Sequence, residues 1–498
     1  MSIDPGLRRL ALRTLLAAFP GTTAPGWAGD LLADGLAGHT LFGGNVADAA
    51  QVAALTAGLR AIRPDTLIAI DEEGGDVTRL GHRTGSPYPG NAALGAAGDP
   101  DLTRRVYAAI GADLAATGIN LDLAPTVDVN TADDNPIIGT RSFGADPGPV
   151  ARHTAAAVQG LQSSGVAACA KHFPGHGATV TDSHLELPTV DVPLDLLRSR
   201  DLPPFAAAVD AGVRAVMSAH IRVPALTGDG PATFSRAALT DLLRTELGFQ
   251  GAIITDALEM RGAAASAGGI PRAAVAALAA GADLLCIGAV VDLTLVESIA
   301  AEIATATADG RLDRHRLEEA ATRTADLAAW ATPPTAATAT HRSGLAGRPG
   351  PAPHRPDLAL GVAAAHQGMT VEGSVERLRS PLVVRFVAGW SIAEGRVPWG
   401  LRPHLATAEE IEVVAAEVSA ESLTRQAGER PIVLTGRRIH NSAPARELIE
   451  KLAADRPVGV VEMGWPSAWR PAGVEAFVVT HGASLANGRA AAEALNLT

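Results

Sequence analysis

The sequence predicts an α/β protein with two domains, a TIM-like (β/α)8 barrel followed by a smaller C-terminal α/β sandwich. Up to residue 330, eight short apolar runs alternate with longer amphipathic stretches rich in alanine and leucine. A segment rich in proline, glycine, alanine and threonine interrupts this pattern, and further apolar runs alternate with helical stretches after it. A doubly wound open sheet is the alternative for the first part, but no GxGxxG turn follows any of its strands.

Each of the eight apolar runs before residue 330 is a predicted barrel strand. The runs are LLAAF (15–19), TLFGG (40–44), TLIAID (66–71), INLDLAP (119–125), AACAKHF (167–173), RAVMSAH (214–220), GAIITDA (251–257) and DLLCIGA (283–289). Such continuous apolar runs are typical of parallel strands that are buried on both faces. Helices are predicted between them, for example at 101–117, 149–164 and 271–281, and the barrel is assigned to residues 1–332.

The rest of the chain is predicted to be a linker and a second domain. Residues 333–356 lack apolar periodicity, which is typical of a linker or an extended crossing segment. Residues 357–498 form the predicted C-terminal α/β domain, with strands in PLVVRFVAG, RPIVLTG, PVGVVEMG and AFVVTHG and helices at 407–423, 442–454 and 485–496. We expect no catalytic residue in this domain.

Charge and hydropathy exclude several classes of protein. The net charge of −12 over 498 residues argues against binding to nucleic acid or to anionic membranes, because both need a basic surface. No apolar run reaches the length of a membrane span, and the N-terminal stretch lacks a clean signal-peptide pattern. We therefore expect a soluble, cytoplasmic protein. Cys169 and Cys286 lie inside apolar runs and are predicted to be small buried hydrophobic residues, and the oligomeric state is left open.

Polar residues collect where the predicted barrel strands end, which is the reactive face of this fold. They include Asp71, Arg79, Asp128, Arg141, Lys171, His172, His176, Asp182, His184, His220 and Asp256. Lys171 is one of only two lysines among 41 basic residues, which suggests a site where the broad guanidinium group of arginine does not fit. Structural alternatives remain for single residues, since Asp256 could cap the next helix, Asp71 could pair with Arg79, and His220 could be a core histidine.

A metal site is the first chemistry to weigh. His172, His176, Asp182 and His184 have suitable ligand atoms. However, Pro174 and Gly175 break the helix that would align the first two histidines, and the neighbouring lysine cation disfavours a second cation. We predict that the protein uses no metal and no organic cofactor.

Cleavage of a glycosidic bond fits the same residues better, because it needs a group at the anomeric carbon and a proton donor on the leaving-group side. Asp256 at a strand end suits a nucleophile, and His184 can exchange a proton near neutral pH. Asp182, two residues earlier, projects to the same side of an extended segment and can orient that imidazole. The predicted contacts to sugar hydroxyls come from Asp71, Arg79, Arg141, Lys171 and His172.

Four stretches resemble the N-acetylglucosaminidase branch of glycoside hydrolase family 3. KHFPGHGATVTDSH resembles its signature, IDEEGGDVTRL its sugar-clamping strand, NPIIGTRSFGADP the next loop, and ITDALEM its nucleophile strand. The resemblance covers residues 10–330 with the four motifs in the correct order. It implies a barrel and a retaining double displacement, in which Asp256 forms a glycosyl-enzyme and the Asp182–His184 dyad acts as acid and then as base. Glucosidases of the family take their acid from a glutamate outside the barrel instead.

The predicted function is a retaining, exo-acting β-N-acetylglucosaminidase. Its expected substrate, and only expected partner, is a short glycan that ends in GlcNAc, such as a cell-wall muropeptide sugar or a chitooligosaccharide. A phosphorylase that uses the same site but transfers the sugar to phosphate is one alternative, because a histidine acid/base does not repel phosphate. A non-catalytic sugar-binding protein on a barrel scaffold is an alternative from another class.

Overall fold

The computed structural model describes residues 4–180, 187–288, 291–332, 355–387, 389 and 391–498. Two sheets, of eight and six strands, organise these residues into a barrel and a second α/β domain. The predicted linker lies outside the described residues except for its last two positions. Asp182 and His184, the predicted acid/base pair, also lie outside the described residues.

The first sheet is a nearly closed barrel of parallel strands. Its strands are β1 (Leu15–Ala17), β2 (Gly38–Leu41), β3 (Leu67–Ile70), β4 (Leu121–Asp122), β5 (Ala167–Phe173), β6 (Ala215–Ser218), β7 (Ala252–Thr255) and β8 (Leu285–Ile287). Neighbours in the sheet follow chain order from β1 to β7, and β8 pairs with β1. The barrel approaches closure where the backbone N–H of Thr255 donates to the carbonyl of Leu284 over 3.0 Å. All eight predicted strands are confirmed.

Helices connect and surround the barrel strands. They are α1 (Pro5–Leu12), α2 (Gly26–Asp34), α3 (Ala49–Ile62), α4 (Asn91–Ala97), α5 (Pro100–Ala116), α6 (Pro147–Gln162), α7 (Leu194–Arg200), α8 (Pro203–Asp210), α9 (Pro224–Thr227), a π-type helix (Ala237–Glu246), α10 (Arg261–Ala267), α11 (Ile270–Ala280), α12 (Leu293–Ala308) and α13 (Arg314–Trp330), with short 3₁₀ turns at Gly43–Asn45, Gly139–Arg141 and Ala232–Phe234. Aspartate side chains accept backbone N–H groups at the starts of α3, α5, α6, α12 and α13, which satisfies donors that have no partner within the helix. The predicted helices at 101–117, 149–164 and 271–281 are confirmed as α5, α6 and α11.

No single helix in the described ranges is long and apolar enough to cross a membrane. Within these ranges, α10 and α11 taken together have the length and apolar composition of a membrane span, but the two helices bend by 91° where they meet.

Strand periodicity decides which side chains enter the barrel. Along β5, Ala167 and Cys169 pack in the barrel interior, whereas Ala168, Ala170 and Phe173 pack against the surrounding helices. The period of two places the next inward side chain at Lys171. Both cysteines are free and buried, as predicted from their apolar surroundings.

The second domain is an α/β sandwich. Its strands are β9 (Thr370–Gly373), β10 (Leu382–Phe386), β11 (Glu409–Val413), β12 (Ile432–Gly436), β13 (Val458–Glu462) and β14 (Ala476–Val479), and its helices are α14 (Leu358–Gly368), α15 (Ala420–Ala427), α16 (Ala443–Asp455) and α17 (Leu485–Ala494), with 3₁₀ turns at Arg402–His404 and Ile439–Asn441. The sheet order is β11-β10-β12-β13-β14-β9, and only β9 is antiparallel to its neighbour. Separate apolar clusters cover the two faces of this sheet.

The predicted helix at 407–423 is wrong. Residues Glu409–Val413 instead form the edge strand β11, which pairs in parallel with β10, and a helix starts only at Ala420. Ile411 and Val413 pack against the apolar cluster on one face of the sheet, while Glu410 pairs with arginines on the other face. Packing against the sheet therefore overrides the helical preference of this alanine- and glutamate-rich stretch.

Helix α14 docks the second domain on the barrel. A Cβ atom at Gly361 would lie 1.8 Å from the carbonyl oxygen of Pro87, and one at Gly368 would lie 2.1 Å from that of Ala93. Only glycine allows the helix to approach the barrel backbone so closely. The backbone N–H of Asp357, which caps this helix, also donates to the Tyr88 hydroxyl over 3.1 Å.

Candidate active site

A cavity of about 310 Å³ opens where the barrel strands end. Its floor is formed by Leu123, Met217 and Cys286, which belong to or border the apolar cluster inside the barrel. Its walls carry the charged or polar side chains of Asp71, Glu73, Arg79, His82, Arg141, Lys171, His172, His176, Asp256 and Glu259. The six predicted site residues within the described ranges, Asp71, Arg79, Arg141, Lys171, His172 and Asp256, therefore meet at one cavity.

Lys171 lies between two carboxylates, with only 2% of its side chain exposed. Its Nζ is 2.7 Å from Oδ1 of Asp71 and 2.7 Å from Oε1 of Glu73. Burial by itself lowers the pKa of Lys171, but the attraction of these carboxylates outweighs it and raises that pKa, so the ammonium stays charged. The sequence suggested a compact cation among sugar hydroxyls, and the structure adds that two acidic groups hold it there.

Glu73 links Lys171 to Arg141. The Nε and Nη2 atoms of Arg141 donate to the two carboxylate oxygens of Glu73 over 2.9 and 2.7 Å. Burial alone raises the pKa of Glu73, but Arg141 and Lys171 outweigh it and hold that pKa well below its usual range. We did not predict Glu73 from the sequence. The available signal was its position two residues after Asp71, which places both side chains on the same side of an extended segment.

Asp128 fixes the orientation of His172. Its Oδ2 is 2.7 Å from Nδ1 of His172, while its Oδ1 accepts the backbone N–H of His176 over 2.6 Å. The other ring nitrogen, Nε2, lies 3.3 Å from Nη2 of Arg141 and so turns toward the charged wall of the cavity. A buried carboxylate thus orients the imidazole of His172, whose contact with a sugar stays a prediction.

His176 also lines the cavity, with its ring edge-on to that of His172 at a centroid distance of 5.9 Å. Burial and the neighbouring His172 lower the pKa of His176 to about 4, so this imidazole is neutral at neutral pH. Its Nδ1 lies 2.7 Å from the Thr179 hydroxyl. Among the described residues, no group of three or more His, Cys, Asp and Glu side chains could hold a metal ion.

Asp256 directly follows β7 and lines the cavity. Its Oδ1 accepts the backbone N–H of Ala257 over 2.8 Å, and its own backbone N–H donates to the backbone carbonyl of Ser218 over 3.1 Å. The next helix, α10, begins at Arg261 after Met260, so Asp256 does not cap it. The carboxylate is therefore held at the end of a strand, where the fold places reactive groups.

His220, in contrast, is a core histidine. It is fully buried, with Nδ1 2.8 Å from the Thr233 hydroxyl and Nε2 3.0 Å from the carbonyl of Ala257. It does not line the cavity. The alternative raised from the sequence, that His220 is a buried core histidine, therefore agrees with the structure.

Arg79 connects the barrel wall to the second domain. The backbone N–H groups of Arg79 and Leu80 both donate to Oε2 of Glu72 over 2.8 Å, which shapes the loop that carries the guanidinium. The Nη2 atom of Arg79 lies 3.8 Å from Oδ2 of Asp71. The ion pair with Asp71 that the sequence suggested therefore exists, but it is loose. The same nitrogen donates to the carbonyl of Ala393 over 2.8 Å.

The second domain therefore borders the cavity, a position that no motif in its sequence indicates. Ile392, Ala393 and Gly395 line it beside the barrel residues. Their contribution consists of main-chain atoms and an apolar surface, and such groups leave no recognisable motif in a sequence.

Comparison with known proteins agrees with this architecture. Residues 26–327 match the family model described as the glycosyl hydrolase family 3 N terminal domain, which spans more than half of the chain. The chain belongs to glycosyl hydrolase family 3. The resemblance seen in the four motifs is thereby confirmed, and family membership makes the chain a glycoside hydrolase.

Two β-hexosaminidases and a solved β-N-acetylglucosaminidase are similar to this chain. The chain is 36% identical to β-hexosaminidase A of Pseudoalteromonas piscicida over 59% of its length and 42% identical to a β-hexosaminidase of Chromobacterium violaceum over 50%. It spans 53% and 71% of those two proteins. A family 3 β-N-acetylglucosaminidase from a Paenibacillus strain has the same two-domain fold, with 31% identity, a TM-score of 0.85 and coverage of 98% of this chain and 96% of that one.

Proposed function

We propose that this family 3 protein is a retaining, exo-acting β-N-acetylglucosaminidase. The observation that carries the proposal is the position of Asp256, whose carboxylate shares one cavity with Lys171, Arg141 and His172. A volume of about 310 Å³ lies at the small end of ligand pockets and suits a single sugar unit. The names of the family 3 relatives support the choice of an acetamido sugar.

The charged wall of the cavity is the proposed sugar-binding surface. An ammonium group has three N–H donors, and within the described residues two of those of Lys171 point at Asp71 and Glu73. The third can donate to a hydroxyl, while Asp71 accepts from one, and Arg79, Arg141 and His172 supply further polar contacts. Because ion pairs already hold these side chains in place, little conformational entropy is lost when the sugar binds.

The proposed reaction uses two displacements. First, a carboxylate oxygen of Asp256 attacks the anomeric carbon, the bond to the leaving-group oxygen breaks, and that oxygen takes a proton from His184. Then His184 accepts a proton from water, the water oxygen attacks the anomeric carbon, and Asp256 leaves as a carboxylate. Asp182 orients the imidazole and stabilises its charged form in this scheme.

The proposed substrate is a short glycan with a terminal GlcNAc, such as a cell-wall muropeptide sugar or a chitooligosaccharide. The barrel loops and the 391–395 loop of the second domain surround the cavity, which favours the end of a chain over its middle. The cytoplasmic location expected from the sequence stays a prediction.

Release of an aryl alcohol from β-GlcNAc and β-glucose glycosides, first without and then with phosphate, tests the proposal. We expect rapid release from the GlcNAc glycoside in phosphate-free buffer, with a β-configured first product detected by NMR. Release that requires phosphate would identify a phosphorylase instead. Preference for glucose would contradict the proposed substrate, and sugar binding without turnover would identify a non-catalytic sugar-binding protein.

The acid role of His184 has its own test. Replacing His184 with alanine should slow substrates with poor leaving groups far more than activated aryl glycosides, because activated leaving groups need little protonation. The measurement is kcat/KM for a series of leaving groups with different pKa values. Equal losses across the series would contradict the assignment of His184 as the acid.

A further inference from the structure

Loop 391–395 of the second domain contacts both the cavity and Arg79. The carbonyls of Ala393 and Glu394 accept from the two terminal nitrogens of Arg79, over 2.8 and 3.4 Å. Ile392 and Gly395 form part of the cavity wall itself. The position of this loop therefore sets the position of the Arg79 guanidinium and the shape of the cavity rim.

The side chain of Glu394 holds the loop in this shape. One carboxylate oxygen accepts the backbone N–H of Ser391 over 3.3 Å, and the other accepts Nη2 of Arg437 over 2.8 Å. The Ser391 hydroxyl in turn accepts the backbone N–H of Glu394 over 3.2 Å. Glu394 is a buried carboxylate, so loss of its cationic partner would leave an uncompensated charge in the loop.

Arg437 joins this loop to the barrel. The same Nη2 that contacts Glu394 lies 3.1 Å from Oδ2 of Asp76, a residue of the barrel loop that also carries Arg79. Asp76 is itself fixed, because it accepts the Thr140 hydroxyl over 2.6 Å and the backbone N–H of Ala483 over 2.8 Å. One nitrogen of the second domain thus bridges two buried carboxylates on opposite sides of the domain interface.

We propose that Arg437 is a positioning residue for sugar binding, which acts by fixing loop 391–395 and through it Arg79. The effect on sugar binding rests on the proposed function, whereas the effect on the loop does not. Arg437 does not line the cavity, so its influence reaches the sugar indirectly, through loop 391–395 and through the barrel loop that carries both Asp76 and Arg79. The domain remains docked without it, because α14 packs on the barrel independently of this bridge.

The first experiment compares Arg437→Gln with the control Arg385→Gln, using an aryl β-GlcNAc substrate. Arg385 is also a largely buried arginine of the second domain, but it pairs with Glu410 and Glu412 within that domain. We expect Arg437→Gln to raise KM about fivefold or more with kcat changed less than about threefold, since small displacements of a binding group weaken binding strongly. Arg385→Gln should lower the thermal unfolding midpoint similarly and leave KM unchanged. An unchanged KM in Arg437→Gln, or an equal rise in both variants, would overturn the proposal.

A conservative variant and a double variant sharpen this test. Because a single nitrogen of Arg437 makes both ion pairs, the lysine of Arg437→Lys should restore most of the lost affinity. In an Arg79→Gln background, adding Arg437→Gln should lower kcat/KM by less than about twofold, because the two residues act in one chain of contacts. Full additivity of the two effects, or no rescue by lysine, would contradict action through Arg79.

Hydrogen–deuterium exchange separates this inference from the proposed function. Exchange in peptides that cover 391–395 and 72–80 should be faster in Arg437→Gln than in the wild type, and unchanged in Arg385→Gln. If the wild type cleaves no glycoside while exchange still responds, the proposed function fails and the role of Arg437 in fixing the loop stands. Equal exchange in all three proteins would overturn that role even in an active enzyme.

Discussion

The barrel and the second domain both border the cavity, but they contribute different kinds of groups. The barrel supplies every charged side chain that lines it within the described residues, including Lys171, Arg141 and Asp256. The second domain supplies the carbonyl of Ala393 and the apolar surface of Ile392. In this family 3 protein the charged groups of the cavity thus come from the barrel, and the second domain adds main-chain contacts that position one of them, Arg79.

The two domains also share one construction. In the barrel, Glu72 accepts the backbone N–H groups of Arg79 and Leu80, and in the second domain Glu462 accepts those of Arg438 and Ile439. Burial raises the pKa of each carboxyl group to about 7. Each glutamate shapes a loop that reaches the interface, since Arg79 lies on one loop and Arg437 precedes the other. Glu73 differs from both because two cations keep its carboxylate ionised.

The largest expected effect is the loss of catalytic rate when the proposed nucleophile of the barrel is removed. Asp256→Ala should lower kcat on the order of 10⁴-fold or more with the fold intact, because no other described carboxylate is held at the same place. The matched control is Asp122→Asn. Asp122 also ends a strand, but it does not line the cavity, and burial raises its pKa well above the ordinary value. Asparagine keeps the side-chain oxygen that accepts the backbone N–H of Glu72. Steady-state kinetics and circular dichroism check both variants, and near-normal activity of Asp256→Ala would rule out the nucleophile assignment.

The next largest effect is on the free energy of unfolding, and it should differ between a buried ion pair in the barrel and an exposed one in the second domain. Glu73→Gln leaves Lys171 and Arg141 without their shared carboxylate, and we expect it to lower the free energy of unfolding by about 3–5 kcal/mol. Glu372→Gln in the second domain breaks an exposed pair with Arg470 and should leave the free energy of unfolding nearly unchanged. Urea denaturation measures both. Similar losses in the two variants would show that burial of the barrel network does not matter for stability.

A smaller effect concerns the contact between the domains. Arg79→Gln removes charged hydrogen bonds to the second domain and the proposed bond to the sugar, so kcat/KM should fall about tenfold to a hundredfold. Arg83→Gln, an exposed arginine four residues later, is the control and should remain near wild-type activity. A fall of equal size in both variants would mean that overall charge, and not the position of Arg79, determines the rate.

The smallest effect tests the construction that the two domains share. Because the folded-state pKa of Glu72 is about 7, above its ordinary 4.5, the folded protein binds an extra proton between these pH values. Stability therefore falls as pH rises through this window, with a slope of at most about 1.4 kcal/mol per pH unit for each such group. Glu72→Gln should flatten the dependence measured by urea denaturation, and the equivalent change at Glu462 should flatten it similarly. A steeper dependence in either variant would contradict the raised pKa of that glutamate.

Local patterns predicted the barrel well and one part of the second domain poorly. The eight barrel strands are continuous apolar runs, a pattern that burial on both faces imposes whatever the neighbouring strands are. The stretch 407–423 has the composition of a helix, yet part of it forms the edge strand β11 because Ile411 and Val413 pack on the sheet. Composition could not reveal that contact, since the strand that β11 pairs with, β10, lies more than twenty residues earlier in the chain.

The sequence by itself determined which strand ends carry charge, because strand periodicity and a parallel barrel bring Asp71, Lys171 and Asp256 to one mouth. Only the tertiary structure decided what surrounds them. Glu73 was found as the partner of Lys171 and Arg141 through distances, and the carbonyl of Ala393 reaches Arg79 across 314 positions of the chain. Every residue has a backbone carbonyl. The role of such a carbonyl therefore depends on where the fold places it, and the type of amino acid that carries it does not reveal that role.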